Sequence, residues 1–159
     1  MNPMRVVIGC DHAAVALKDV IVKELRGSGA QVEDVGTFAG DSVDYPDFAA
    51  SVARRVAGGG ADRGIALCGT GIGACIAANK IRGIRASLCH DTTTARLARQ
   101  HNDANVLCMG GRTTGQAVAL DIVKTWLATE FEGGRHQGRI DKIQALESRA
   151  YSAGKEPGR

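Results

Sequence analysis

The chain has 159 residues, of which 23% are charged and 44% hydrophobic, a composition that suits one soluble domain with a sizeable core and excludes a disordered chain. A net charge of +3 and an aromatic content of 4% offer neither a basic surface nor a stacking platform for nucleic acid. No apolar run approaches the roughly 18 residues that would span a membrane, and the N-terminus leads straight into a strand pattern rather than a signal peptide, so a cytoplasmic setting is expected.

In chain order, Arg5 to Cys10 reads as a short β-branched strand, and Asp11-His12 follows at its end. Ala13 to Arg26 carries apolar residues at helical spacing and stops at Gly27-Ser-Gly29. Gln31 to Val35 is the second strand. After a polar loop, Asp44-Tyr45-Pro46 opens a helix to Val56, with proline suited to its first turn. Gly64 to Cys68 is the third strand and Ile72 to Lys80 its helix. Arg85 to Cys89 is the fourth strand, and Thr92 to Arg99 a helix capped by Asp or Thr. Asn105 to Met109 is the fifth strand, and Gly110-Gly111-Arg112 a second glycine turn. Thr114 to Phe131 is the longest predicted helix, and Arg135 to Arg149 a last one. One domain over residues 1–150 with a frayed tail over 151–159 follows. Strands that are continuous apolar runs, alternating with helices, predict an α/β fold: a single-domain three-layer α/β/α sandwich on a Rossmann-like, five-stranded parallel sheet, closed by a C-terminal helix.

The stretch richest in chemistry is Cys68-Gly69-Thr70-Gly71-Ile72-Gly73. It lies at a strand's carboxyl end, where open α/β sheets place their ligands. Its glycines let backbone N–H groups approach an anion or a developing oxyanion. A thiol beside a helix N-terminus is poised to act as a thiolate base. A rival reading takes Gly69 to Ala74 as the dinucleotide pattern G-x-G-x-x-A, with Asp91 downstream. That pattern normally follows the first strand, and here it follows the third. Cys10, Cys75, Cys89 and Cys108 read as small buried residues. An odd set of five cysteines without a Cys-x-x-Cys pair indicates free thiols. The four histidines form neither His-x-x-x-His nor a Cys/His quartet, so no metal site is expected. His101, after a helix and before strand five, reads equally as a solvated loop residue or a functional one, as does His12. Arg135 and Arg139, at i and i+4, share a helix face and match phosphate oxygens as well as they match plain solvation.

Six blocks in order resemble the type B ribose-5-phosphate isomerases, a family that also holds galactose-6-phosphate isomerase subunits. They are Gly9-Cys-Asp-His12, Asp44-Tyr-Pro46, Cys68-Gly-Thr-Gly-Ile-Gly73, Ala77-Ala-Asn-Lys80, Arg99-Gln-His-Asn-Asp103 and Glu132-Gly-Gly-Arg-His-Gln137. The resemblance covers nearly everything from Arg5 to Arg149. It implies that Cys68 is the proton-transferring base and His101 the ring-opening residue. It also implies that Gly69, Thr70, Gly71, Ile72 and Gly73 hold the reacting end of the sugar. Asp11, His12, Tyr45 and Asn102 would be further sugar contacts, and Arg112, Arg135 and Arg139 would bind the phosphate. Some members replace the cysteine base by a glutamate on the following helix. The helix after Cys68 offers Cys75 and no carboxylate, which matches the cysteine type. The family implies a phosphorylated sugar as substrate, no metal or other cofactor, and a homodimer with shared sites, with tetramers open. Pentose, tetrose, allose and galactose phosphates all stay open as substrates, and a nucleotide-binding module or a non-catalytic sensor is the alternative.

Overall fold

The computed structural model of the chain describes residues 2–153. In chain order they form β1 (Arg5–Cys10), a 3-10 turn (His12–Ala14), α1 (Val15–Gly27), β2 (Gln31–Asp34), α2 (Tyr45–Ala57) and β3 (Arg63–Cys68). There follow α3 (Ile72–Ala78), β4 (Ala86–Leu88), α4 (Thr92–Asn102), β5 (Val106–Gly110), α5 (Gln116–Ala128) and α6 (Arg135–Ala153). Every strand pairing is parallel, in the order β2-β1-β3-β5-β4. This is the expected Rossmann-like sheet.

Alternation along each strand divides the core in two. Val6, Ile8, Cys10, Ile65, Leu67, Leu107 and Met109 meet α1, α4 and α5 on one face. Val7, Ala66, Cys68, Val106 and Cys108 meet α2 and α3 on the other. Both faces are covered, so a strand reads as an unbroken apolar run although its neighbours point in opposite directions. On the second face a Cβ at Gly64 would lie 2.7 Å from Val52 and 3.0 Å from Val56, so α2 packs on bare backbone.

The connection from β1 through α1 to β2 runs outward on one side. The connection through α2 returns to β3 on the other side of β1. The chain therefore leaves the carboxyl ends of the paired strands β1 and β3 towards opposite faces of the sheet, α1 on one and α3 on the other, and at such a point, where the strand order reverses, a crevice opens between the two connections. Asp11-His12 and the Cys68 loop both begin there.

A buried ion pair supports this edge. Lys18, fully buried on α1, is paired with Asp34 at the end of β2. The second oxygen of Asp34 accepts from Gly36 N–H at 2.9 Å. Gly36 in turn accepts from Cys10 N–H, and Thr37 N–H donates to Cys10 O. The loop leaving β2 is thereby laid against the end of β1.

Two expectations are corrected. The helix predicted over Thr114 to Phe131 spans Gln116–Ala128, and the 19-residue α6 is longer. Thr129 is already extended, at φ −96° and ψ 127°. Arg99 Nε donates to its carbonyl at 3.3 Å, and Glu132 N–H to Gln100 O at 3.1 Å. The chain leaves α5 to dock on α4 instead of continuing as helix. The second correction concerns His101 and Asn102, which belong to the last turn of α4 rather than to a loop. At the far end, α6 runs to Ala153, and residues 154–159 of the expected tail lie outside the described residues.

Candidate active site

Cys68 ends β3 and is buried, at 4% exposure. Gly71 N–H donates to its sulfur at 3.1 Å. Gly71 takes up φ +79° as it opens α3, a conformation open to glycine and costly for other residues. The loop is stitched to the second glycine turn: Gly111 N–H donates to Cys68 O at 2.8 Å, and Arg112 N–H to Gly69 O at 2.9 Å. A Cβ at Gly110 would lie 2.5 Å from the Thr70 backbone, so this close approach needs glycine. The Thr70 hydroxyl accepts from Ile72 N–H at 3.3 Å.

The other residues of this edge converge on the same loop. A Cβ at Gly69 would sit 3.4 Å from Arg112 Nη1, so the guanidinium lies beside the loop. A Cβ at Gly73 would fall 2.4 Å from the Tyr45 ring, so Tyr45 packs directly on the Gly73 backbone. Asp11, 6% exposed, caps the 3-10 turn by accepting from Ala13 N–H at 3.0 Å. His12 Nδ1 accepts from Val43 N–H at 3.2 Å, which leaves Nε2 as the donor of that ring. A thiol, clustered backbone N–H groups, a cation and hydroxyls thus share one end of the sheet.

The remaining residues lie elsewhere. His101 and Asn102 end α4, and the chain then enters β5 from the opposite edge. Cys68 is opposite Gly110, and Gly64 opposite Val106, so the length of β5, about 13 Å at 3.3 Å per residue, separates the two edges. Arg135 and Arg139 begin α6 beside His101. The residues singled out from the sequence therefore fall into two groups at opposite ends of the sheet.

The second group contains a contact that reading the sequence missed. The His101 and His136 rings stack at 4.3 Å between centroids, 12° from parallel. His136 Nε2 lies 3.6 Å from Glu132 Oε2. Ligand atoms of His101, Glu132 and His136 all fall within 4.8 Å of one another, a cluster that the spacing of the histidines in the sequence does not show. An imidazole binds an ion in its own ring plane, and these planes are stacked rather than convergent. The arrangement thus fits ring-on-ring contact better than coordination of one ion. The i, i+4 spacing of Glu132 and His136 was visible in the sequence; His101, far away in it, was not.

The thiols separate by environment. Burial pushes Cys10 up to about 12 and Cys89 up to about 11, which keeps both protonated and structural. Cys75 is half-buried on α3, and a hydrogen bond with Cys108 pulls it down to about 7. Its sulfur faces Ala86 O at 3.5 Å, on the β4 side of α3.

The dinucleotide reading loses its acidic residue. Asp91 Oδ1 accepts from Thr94 N–H at 2.7 Å within a capping box. It follows β4, which β5 separates from β3, whereas the fingerprint needs an acidic residue at the end of the neighbouring strand.

A family model described as Ribose/Galactose Isomerase matches residues 6–143. Ribose-5-phosphate isomerase B of Escherichia coli (strain K12) is 49% identical over 145 residues, spanning 91% of this chain and 97% of that protein. D-erythrulose-4-phosphate isomerase of Pectobacterium atrosepticum is 44% identical over 141 residues, spanning 88% and 93%. The solved structure of Clostridium thermocellum ribose-5-phosphate isomerase B is 50% identical, covers 92% of this chain and 99% of its own, and superposes with a TM-score of 0.92. With the family model spanning most of the chain and relatives near half identical over almost their whole length, the chain belongs to the ribose/galactose isomerase family.

Proposed function

We propose that this protein interconverts D-ribose 5-phosphate and D-ribulose 5-phosphate through a cis-enediolate, in the cytoplasm and as part of pentose phosphate metabolism. The observation that carries the reading is the buried Cys68 sulfur under Gly71 N–H, beside a glycine loop flanked by Arg112. In the forward direction His101 moves a proton to the ring oxygen and opens the furanose. Cys68 takes the proton from C2 of the aldose and returns one to C1. N–H groups of Gly69, Gly71, Ile72 and Gly73, with the Thr70 hydroxyl, stabilise the charge that develops on oxygen. Asp11, His12, Tyr45 and Asn102 hold the sugar hydroxyls. Arg112, Arg135 and Arg139 bind the phosphate, and this remote binding energy positions the reacting end. A base, oriented N–H groups and cations supply every function the reaction needs, so neither metal nor cofactor takes part.

Each site is formed by two copies of the chain: the Cys68 edge of one and the His101 edge of the other. Two observations support this homodimer. The half-sites lie at opposite sheet edges within one chain. Ile72 and Ile76, at i and i+4 on the outer face of α3, are 53% and 57% exposed directly beside the Cys68 loop, an apolar stripe suited to a partner. Tetramers would add a second interface to this one.

A panel of four-, five- and six-carbon sugar phosphates tests the substrate. The highest kcat/KM is expected for the pentose pair. A tetrose phosphate preferred over it would transfer the same chemistry to the activity named for the Pectobacterium relative. The phosphate contacts are tested by Arg135→Ala and Arg139→Ala. Each removes a charge-assisted contact present throughout the reaction, so KM is expected to rise roughly tenfold or more in both directions with a smaller change in kcat.

A further inference from the structure

Glu132-Gly-Gly-Arg-His136 builds a support for His101. Gly133 and Gly134 take φ +65° and +54° in succession, a left-handed pair that glycine adopts without strain. They turn the chain sharply after Glu132, whose own N–H is tied to Gln100 O on α4 at 3.1 Å. His136 then enters α6 buried, at 4% exposure, with its ring flat against His101. The Glu132 carboxylate faces its Nε2 edge at 3.6 Å.

We infer that His136, with the Glu132 carboxylate at its edge, is a positioning residue for His101: its ring face fixes the plane of the His101 imidazole and stabilises the positive charge that ring gains while it carries a proton. The inference rests on the ring-opening role proposed for His101. Two features suit His136 to this task. A ring stacked at 4.3 Å opposes rotation of the His101 imidazole about its Cβ–Cγ bond, so the directions of its nitrogens are fixed. An uncharged aromatic face also attracts a cation lying over it. His136 stays uncharged because burial, His101, Arg135 and Arg139 all lower its pKa, and Glu132 only partly opposes them. A second imidazolium at this spacing would repel the first.

A buried histidine could instead be no more than filling, and the two roles give different results. His136→Leu keeps an apolar side chain of similar bulk and removes the ring face. It is expected to slow turnover of the cyclic aldose phosphate roughly 5- to 30-fold, the range of a lost cation–π contact. Solvent-deuterium exchange at C1 of the open-chain ketose phosphate, which needs no ring opening, should stay within about twofold of wild type. His136→Phe restores a neutral ring face and should recover most of the aldose rate. Equal rates for the Leu and Phe variants, or exchange falling in step with aldose turnover, would overturn the inference. If neither variant folds, Glu132→Gln decides. Its side chain is half-exposed, and it should slow aldose turnover several-fold with exchange unchanged; no effect on aldose turnover overturns the inference. Failure of the underlying function looks different, since the wild-type protein would then exchange no deuterium at all.

Discussion

Cys68→Ala is expected to abolish isomerisation while leaving the fold and phosphate binding intact. The side chain is small, so its truncation leaves a modest cavity costing on the order of 1 kcal/mol. What disappears is the group proposed to take the carbon-bound proton, the thiol at the end of β3. Gly71 N–H loses its acceptor in the same change. A positioned general base contributes about 10²- to 10⁴-fold, and the rate should fall on that scale. Inorganic phosphate should still bind with wild-type affinity, because Arg112, Arg135 and Arg139 are untouched. Cys75→Ala is the control that matters, since Cys75 is the thiol pulled down to about 7 and is the rival base on chemical grounds alone. Its sulfur is turned to the Ala86 carbonyl, so Cys75→Ala should keep most of the activity. A Cys68→Ala protein retaining more than about a tenth of the rate, equivalent to about 1.4 kcal/mol of barrier, would show that Cys68 is not the base.

His101→Asn should fail in one direction of assay far more than in the other. The aldose phosphate is mostly a closed ring. The ketose phosphate cannot close a furanose, because its C5 oxygen carries the phosphate. A residue that opens rings is therefore needed for the aldose and dispensable for proton exchange on the ketose. Turnover of the aldose is expected to drop on the order of 10²-fold, with solvent-deuterium exchange at C1 of the bound ketose nearly unaffected. If exchange collapses as far as aldose turnover does, His101 acts in the enediolate step instead.

Much of this was legible in the residues, and the exceptions have identifiable causes. The five strands could be read because both sheet faces are covered, which leaves runs such as Ile65-Ala66-Leu67 apolar throughout. The start of α4 was legible as well, since Asp91 and Thr94 form a capping box in which each side chain meets the other's backbone. Its end was not. Arg99 occupies a core position at 1% exposure, spending its charge on Asp103 and on the Ala104 carbonyl. The hydrophobic period thus vanishes one turn before the helix stops, and His101 looked like a loop residue. The end of α5 was hidden for a related reason. Phe131 continues an apolar pattern, but side-chain and backbone contacts from α4 capture Thr129 and Glu132. The glycine loop and Cys68 were legible because their chemistry is local. The stack of His101 on His136 was not, because it joins residues from two helices with no periodic relation. Nor does any single motif state that Cys68 and His101 lie at opposite sheet edges; that follows only once the parallel order of β3 and β5 is known.

That separation makes the central claim directly measurable. In a mixed dimer of Cys68→Ala and His101→Asn chains, one site carries both substitutions and the other carries neither. Unfolding and refolding the two inactive proteins together in equal amounts should yield about half mixed dimers, each with one intact site. Aldose-isomerising activity should then return to about a quarter of the wild-type value per chain, while either protein refolded alone stays inactive. If Cys68 and His101 instead served one site within a single chain, no mixture could contain a complete site. Activity that fails to rise above that of the separate variants, in a sample shown to contain mixed dimers, would contradict the shared site.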